Sequence, residues 1–131
     1  MEKEKFLTII TKNVVTTNED ATAADIAGLM KENNIGVVVI IKEGQVTGIV
    51  SERDITRRIV AEGLPPDLVK AREFMTTDLI TAEIHDGLNN IYKTLCEIKF
   101  RHLLIMDNGK LAGITSIRDF LDTLTCAKKR E

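Results

Sequence analysis

Two stretches of the chain carry apolar residues at helical spacing. The first opens at Thr22, which forms a capping-box sequence with Asp25, and it places Ile26 and Met30 on one face. The second extends from about Gly87 to Lys99, with apolar residues at the same spacing. We predict an amphipathic helix in each stretch.

Two further stretches have the pattern of buried strands. The runs VVVII at 37–41 and LLIM at 103–106 are apolar without interruption, which is typical of strands covered on both faces. Each run is followed by a turn sequence, KEGQ or DNGK, and by a returning segment, VTGIV or LAGIT. The Asn-Gly pair in the second turn favours a type I′ turn. Each run therefore predicts an antiparallel hairpin.

The two halves of the chain repeat one another. GIVSERD at 48–54 returns as GITSIRD at 113–119, and an offset of 65 residues aligns the halves without a gap. Each half also begins with a short strand-like segment, NVVTT or DLITA, so its predicted order is β-α-β-β-α. One such unit has too small a core to be stable alone. We therefore predict an α+β fold in which two units pack with pseudo-two-fold symmetry.

The repeat also predicts the domain boundaries. Unit 1 would occupy residues 1–65 and unit 2 residues 66–131. The linker would lie at about 61–73, because this segment holds both prolines of the chain.

Composition excludes several classes of protein. A net charge of −2 over 131 residues provides no field that would attract nucleic acid. Cys96 and Cys126 have no metal-ligand spacing, so we predict no metal site. A disulfide between them is conceivable, but cysteine usage in a cytosolic protein favours two reduced thiols. No apolar run approaches the roughly 20 residues of a membrane helix, and the first ten residues do not resemble a signal peptide. We expect a cytoplasmic protein.

The repeated Ser-x-x-Asp spacing has two interpretations. Ser51 with Asp54, and Ser116 with Asp119, have the spacing of a helix cap in which the acid accepts a backbone N–H. A carboxylate held at a strand-to-helix junction can also accept two hydrogen bonds from the cis-diol of a ribose. The serine hydroxyl and the N–H groups of the first helical turn could then meet phosphate oxygens. The spacing leaves both interpretations open.

Three arginines lie near the motifs in sequence. Arg53 and Arg118 each precede a motif aspartate, and Arg101 precedes the second apolar run. They could neutralise a phosphate, or they could be surface charges or ion pairs at a subunit interface.

These motifs resemble those of the cystathionine-β-synthase (CBS) domain family. FMTTDLIT at 74–81 resembles the family's entry strand, and the segment at 100–119 resembles its closing phrase. The resemblance extends over about 9–125 and identifies the chain as a tandem CBS pair, or Bateman module, that stands alone without a catalytic domain. The chain departs from the family pattern at Val39 and Leu104, where proline is usual, and at Ile10, where methionine is usual.

The resemblance implies two ligand clefts between the units, and in each cleft the motif aspartate of one unit faces the other unit. The first cleft would contain Ser51, Arg53, Asp54, Thr76, Ile80, Phe100, Arg101 and His102. The second would contain Thr11, Val15, Ile35, Gly36, Ser116, Arg118 and Asp119. At the 65-residue offset, Arg101 and His102 correspond to Gly36 and Val37, so only the first cleft would carry this cationic pair. We therefore predict tighter phosphate binding in the first cleft, unless His102 serves only as a residue at a strand start.

The predicted function is that of a regulatory module that binds an adenosine nucleotide such as AMP, ADP or ATP. NAD(H) and S-adenosylmethionine are further adenosine-containing candidates. No catalytic residue is predicted, because Ser51 is not in a G-x-S-x-G elbow and no relay through histidine is apparent. We expect a homodimer and a regulated partner that the sequence does not identify. The alternative is a ligand-free dimerisation or protein-interaction module.

Overall fold

The computed structural model describes residues 2–99 and 101–122. Its helices and strands are, in chain order, α1 (Glu2–Lys12), β1 (Thr16–Asn18), α2 (Ala23–Asn33), β2 (Val37–Lys42), β3 (Gln45–Ser51), α3 (Glu52–Asp54), α4 (Ala71–Phe74), β4 (Thr81–Glu83), α5 (Leu88–Ile98), β5 (Leu103–Asp107), β6 (Lys110–Thr115) and α6, whose described part is 117–122. A π-helix (Ile55–Val60) continues α3, and a 3₁₀ helix (Ile84–Asp86) precedes α5. The chain divides into two compact units, which we name the middle unit (Val15–Leu79) and the terminal unit (Met1–Val14 with Ile80–Glu131).

The middle unit is built on a three-stranded sheet in the order β1-β2-β3. β1 is parallel to β2, and β3 returns antiparallel to β2. The first four residues of β2 are buried, as the uninterrupted apolar run predicted. The core cluster also includes Ile26 of α2, Ile59 of the π-helix and Phe74 of α4. Thr22 caps α2 in a complete capping box with Asp25, which confirms that prediction.

The terminal unit repeats the same sheet, in the order β4-β5-β6 and with the same strand directions. Its core brings α1 against α5 and the sheet, through Phe6, Ile10, Ile91, Leu95, Leu103, Ile105 and Phe120. The rings of Phe6 and Phe120 meet edge to face, with centroids 5.1 Å apart. The predicted α+β class is confirmed, and each repeat has the predicted β-α-β-β-α order.

Both hairpins close through two-residue turns. Glu43 and Gly44 have φ of 51° and 78°, and Asn108 and Gly109 have φ of 51° and 82°. Positive φ at both central positions is the signature of a type I′ turn. The type I′ turn predicted for the second hairpin is confirmed, and the first hairpin adopts it too.

The compact units do not coincide with the two sequence repeats. Residues 66–79, which the repeat assigns to unit 2, pack with the middle unit, whereas residues 2–14 pack with the terminal unit. We call 71–79 and 2–14 the entry segments, because each precedes the first strand of its repeat. Contacts with the sheets determine where each entry segment packs. Comparing the sequences of the two halves does not reveal these contacts.

The helix α1 is an element that the sequence analysis did not predict. Phe6 and Ile10 are buried and lie four residues apart, so they share one face of the helix. This four-residue spacing of apolar residues is the sequence signal from which α1 could have been predicted. The predicted entry strands also differ in position, since β1 and β4 begin at Thr16 and Thr81, three residues after the start of each predicted segment.

Candidate functional site

The repeated motif forms a helix cap in the middle unit. Ser51 is the N-cap of α3, and its hydroxyl accepts a hydrogen bond from the backbone N–H of Asp54 at 3.1 Å. In return, the N–H of Ser51 donates to Oδ2 of Asp54 at 2.9 Å. The capping interpretation is therefore confirmed for this motif.

The Asp54 carboxylate also has partners that a cap does not require. The hydroxyl of Thr76, in the entry segment, lies 3.3 Å from each oxygen of Asp54. The Nε of Arg58 lies 3.7 Å from Oδ1. Asp54 is only 9% exposed, so three segments of the middle unit converge on one nearly buried carboxylate. A buried carboxylate in such surroundings has its orientation fixed by its donors.

The entry segment is held against the sheet beside this carboxylate. Ile49 and Thr76 exchange two backbone hydrogen bonds, of 3.0 and 2.8 Å, as an isolated antiparallel bridge. Gly48 allows this approach, because a Cβ there would lie 2.6 Å from Sδ of Met75 and 3.0 Å from the carbonyl oxygen of Thr76. The glycine that opens the motif is therefore required by close packing rather than by a positive φ.

The motif of the terminal unit has a similar cap and different partners. The N–H of Ser116 donates to Oδ2 of Asp119 at 3.1 Å, and the N–H of Asp119 donates to the hydroxyl of Ser116 at 3.3 Å. The amide of Asn13 donates to Oδ2 of Asp119 at 3.3 Å. Burial raises the pKa of Asp119, although hydrogen bonds from Ser116 and electrostatic attraction to His102 oppose the change. This carboxyl group is therefore harder to ionise than an ordinary aspartate.

Two residues beside the carboxylates were not selected from the sequence. Arg58 lies four residues after Asp54, a spacing that could have indicated the pair. Asn13 had no such signal, since its counterpart at the 65-residue offset is Asp78. Thr11, which the repeat matches to Thr76, instead donates its hydroxyl to a carbonyl of its own helix.

Other predicted site residues take part in the frame around the motifs. The carbonyl oxygens of Val15 and Ile80 accept sheet hydrogen bonds of 2.8 and 2.9 Å. The carbonyl of Gly36 accepts from the N–H of Glu52 at 2.9 Å, and a Cβ on Gly36 would lie 2.6 Å from Oε1 of Glu52. Ile35 packs against the core of the middle unit.

The charged residues of the predicted clefts are divided between the units. Arg53 is exposed in the middle unit, whereas Arg101 and Arg118 are exposed in the terminal unit. His102 also belongs to the terminal unit, and Phe100 lies outside the described residues. The structure thus brings Ser51, Asp54 and Thr76 together within one unit, and Ser116 with Asp119 within the other. The predicted grouping of residues from both units into shared clefts stays a prediction.

Residues 2–99 and 101–122 contain no group of three or more His, Cys, Asp or Glu side chains that could hold a metal ion. Within the same residues, every helix is too short or too polar to cross a bilayer.

Comparison with known proteins decides the family. The family model of the CBS domain matches the chain twice, at residues 7–61 and 71–125. The chain belongs to the CBS domain family. The tandem CBS pair identified from the sequence is thus confirmed.

Three similar proteins place this CBS pair among its relatives. A protein of uncharacterised function from Methanopyrus kandleri is 39% identical over 112 residues, which cover 84% of this chain and 57% of that protein. The chain therefore spans little more than half the length of this relative. A proposed signal-transduction protein with CBS domains from Burkholderia ambifaria has a TM-score of 0.81 at 26% identity, covering 93% of this chain and 92% of the other. A CBS domain protein from Pyrobaculum aerophilum, solved in complex with AMP, has a TM-score of 0.71 at 28% identity, covering 84% of this chain and 88% of the other.

Proposed function

We propose that this CBS pair is a regulatory module that binds an adenosine nucleotide through its motif aspartates. The observation that carries the proposal is the AMP complex of the Pyrobaculum aerophilum relative. The relationship to a proposed signal-transduction protein supports a regulatory rather than a catalytic role. AMP, ADP and ATP are the first candidates, followed by NAD(H) and S-adenosylmethionine, which share the adenosine group.

The geometry of Asp54 suits recognition of a ribose. A carboxylate has about four lone-pair directions. The N–H of Ser51 takes one, and the single hydroxyl hydrogen of Thr76 is shared between both oxygens. Acceptor capacity therefore remains for the two hydroxyl groups of a cis-diol. Because the carboxylate is nearly buried, these hydrogen bonds would form in a low dielectric, where they are stronger than in water.

Titration with each candidate ligand tests the proposal. We expect at least one of AMP, ADP, ATP, NADH and S-adenosylmethionine to bind, as measured by calorimetry, and to raise the melting temperature. Asp54→Ala should weaken binding about ten- to a hundredfold, the loss expected for hydrogen bonds to a charged group. Asp54→Asn keeps an acceptor for the cap and shows whether the charge itself is needed. Asp67→Ala, at an exposed position, is the matched control. Absence of binding by all five ligands would refute nucleotide sensing.

Association without a ligand is the second candidate function. In the middle unit, Val60 is 68% exposed and Leu68 is 70% exposed. Leu64, which lies between them in sequence, is 42% exposed. Exposed apolar side chains that form one contiguous patch mark association surfaces, and these three lie within nine residues of sequence. We expect a homodimer that covers them. Ile59, beside Val60, is fully buried and belongs to the core.

A further inference from the structure

Arg58 connects the motif helix of the middle unit to its entry segment. Its Nη1 donates to the carbonyl oxygen of Phe74 at 2.7 Å and lies 3.5 Å from that of Met75. Its Nε lies 3.7 Å from Oδ1 of Asp54. One guanidinium thus faces the motif carboxylate and the backbone directly before Thr76.

The chemistry of this contact requires an arginine. A guanidinium is planar and presents several N–H groups in a fixed arrangement, so it can face a carboxylate and a carbonyl oxygen at once. A lysine ammonium is a point charge on a flexible stem and does not impose that geometry. The neighbouring Arg57 is exposed and carries the same charge, which makes it a natural control.

The backbone conformation helps to place Arg58. Residues 55–60 are π-helical, a rare conformation that is often found at functional sites. Asp54 precedes this segment, and Arg58 follows four residues later on the same side of the helix. The entry segment packs along this side, so it meets the two side chains together.

We propose that Arg58 is a positioning residue for ribose recognition at Asp54. By holding the carboxylate and the entry segment in one arrangement, it leaves the remaining lone pairs of Asp54 aimed at the two hydroxyl groups of a cis-diol. The inference rests on the proposed function and adds that the Asp54 site discriminates ribose from 2′-deoxyribose through Arg58. Without Arg58, the carboxylate keeps its bond from Ser51 and the long contacts to Thr76, and it gains freedom to turn.

The sequence of the second motif differs at the position that matches Arg58. At the 65-residue offset, the position of Arg58 is occupied by Thr123. The donor from the entry segment to Asp119 is the neutral amide of Asn13. Removing Asp119 as a ligand therefore isolates the contribution of Arg58 at Asp54.

The test compares three ligands in an Asp119→Ala background by calorimetry. AMP, 2′-deoxy-AMP and adenosine are titrated into this protein and into its Arg58→Ala, Arg58→Lys and Arg57→Ala derivatives. We expect Arg58→Ala to weaken AMP binding about tenfold, the lower end for a charge-assisted contact because Arg58 is half-exposed. The affinity ratio of AMP to 2′-deoxy-AMP should fall towards one, while the ratio of AMP to adenosine stays constant. Arg58→Lys should restore little of the ribose preference, and Arg57→Ala should behave like the parent.

Several outcomes would overturn the inference. Equal losses for AMP and 2′-deoxy-AMP would show that Arg58 does not act through the ribose. A collapse of the AMP-to-adenosine ratio would show a direct phosphate contact instead. If the wild-type protein binds none of the five candidate nucleotides and cofactors, the proposed function itself fails. If it binds AMP and Arg58→Ala leaves that affinity unchanged, only the role of Arg58 is refuted.

Hydrogen exchange covers the case in which Arg58→Ala does not fold. The N–H of Thr76 is bonded to the carbonyl of Ile49, so its protection reports how firmly the entry segment is held. Arg58→Lys should accelerate exchange at Thr76 about tenfold, relative to amides within β2. Unchanged exchange at Thr76 would show that Arg58 does not position the segment.

Discussion

Replacing Gly113 by alanine should destabilise the terminal unit, because α1 lies directly against β6 at this glycine. A Cβ on Gly113 would lie 2.7 Å from Cγ1, 2.8 Å from Cβ and 2.9 Å from Cδ1 of Ile10. Carbon atoms pack favourably at about 3.5–4.0 Å, so the overlap approaches 1 Å. Ile10 is 1% exposed and, being β-branched, is restricted at χ1. The helix must shift, or the side chain must adopt a strained conformation.

The expected cost follows from the packing of this contact. Overpacking a well-filled core costs about 1–3 kcal/mol, and we expect about 2 kcal/mol for Gly113→Ala. Ile10→Ala removes a buried isoleucine and should cost about 3 kcal/mol. In the double variant, the new methyl group occupies space that the isoleucine vacated. We therefore expect the double variant to lose about 3 kcal/mol of unfolding free energy, which is about 2 kcal/mol less than the sum of the two single losses.

Urea denaturation of the two single variants and the double variant measures this coupling. Unchanged m-values would show that the shifts in midpoint reflect stability. Gly28→Ala is the matched control, because Gly28 lies in α2 and a Cβ there meets no atom within 4 Å. Alanine at that helical position should stabilise by about 0.5–1 kcal/mol. Additive losses for Gly113→Ala and Ile10→Ala, or a gain like that of Gly28→Ala, would refute the argument that Gly113 is required for packing.

Two further predictions concern ionisation and association. Burial raises the pKa of Asp119 in the folded protein above its pKa in the unfolded chain. Protonation of Asp119 therefore stabilises the fold below the unfolded-state pKa, and this stabilisation is lost as pH rises through the folded-state pKa. The melting temperature of Asp119→Asn relative to wild type should therefore be higher at pH 7 than at pH 3, and a difference independent of pH would contradict this. The exposed Val60 and Leu68 predict a homodimer that Val60→Asp weakens about tenfold or more, as measured by sedimentation. Particles of only 14.6 kDa at micromolar concentration in the wild-type protein would contradict the homodimer.

Local patterns predicted the sheets, the hairpins and the caps. The runs at 37–41 and 103–106 became the central strands, because a strand buried on both faces needs apolar residues at every position. The turns follow from the short-range preference of Asn-Gly and related pairs for positive φ. Thr22 and Ser51 act as caps because the acid three residues later completes the box. Each of these features is decided within a few residues.

The entry segments could not be assigned in the same way. Their place depends on contacts between residues far apart in sequence, such as Met75 against Gly48 and Ile10 against Gly113. Periodicity reports which face of an element is buried and does not report which sheet it covers. The repeat made the assignment harder, because it groups each entry segment with the repeat that follows it.

The two motif aspartates show why equal sequence did not yield equal sites. Both close a capping box with the preceding serine, and that shared part is local. Each also receives a hydrogen bond from an entry segment, where the sequences differ. Asp54 receives a hydrogen bond from the hydroxyl of Thr76 and faces Arg58, whereas Asp119 receives one from the neutral amide of Asn13. Burial raises the pKa of Asp119. Duplication preserved the carboxylates, and substitutions around them provide the means by which one ligand class could be bound with two different affinities.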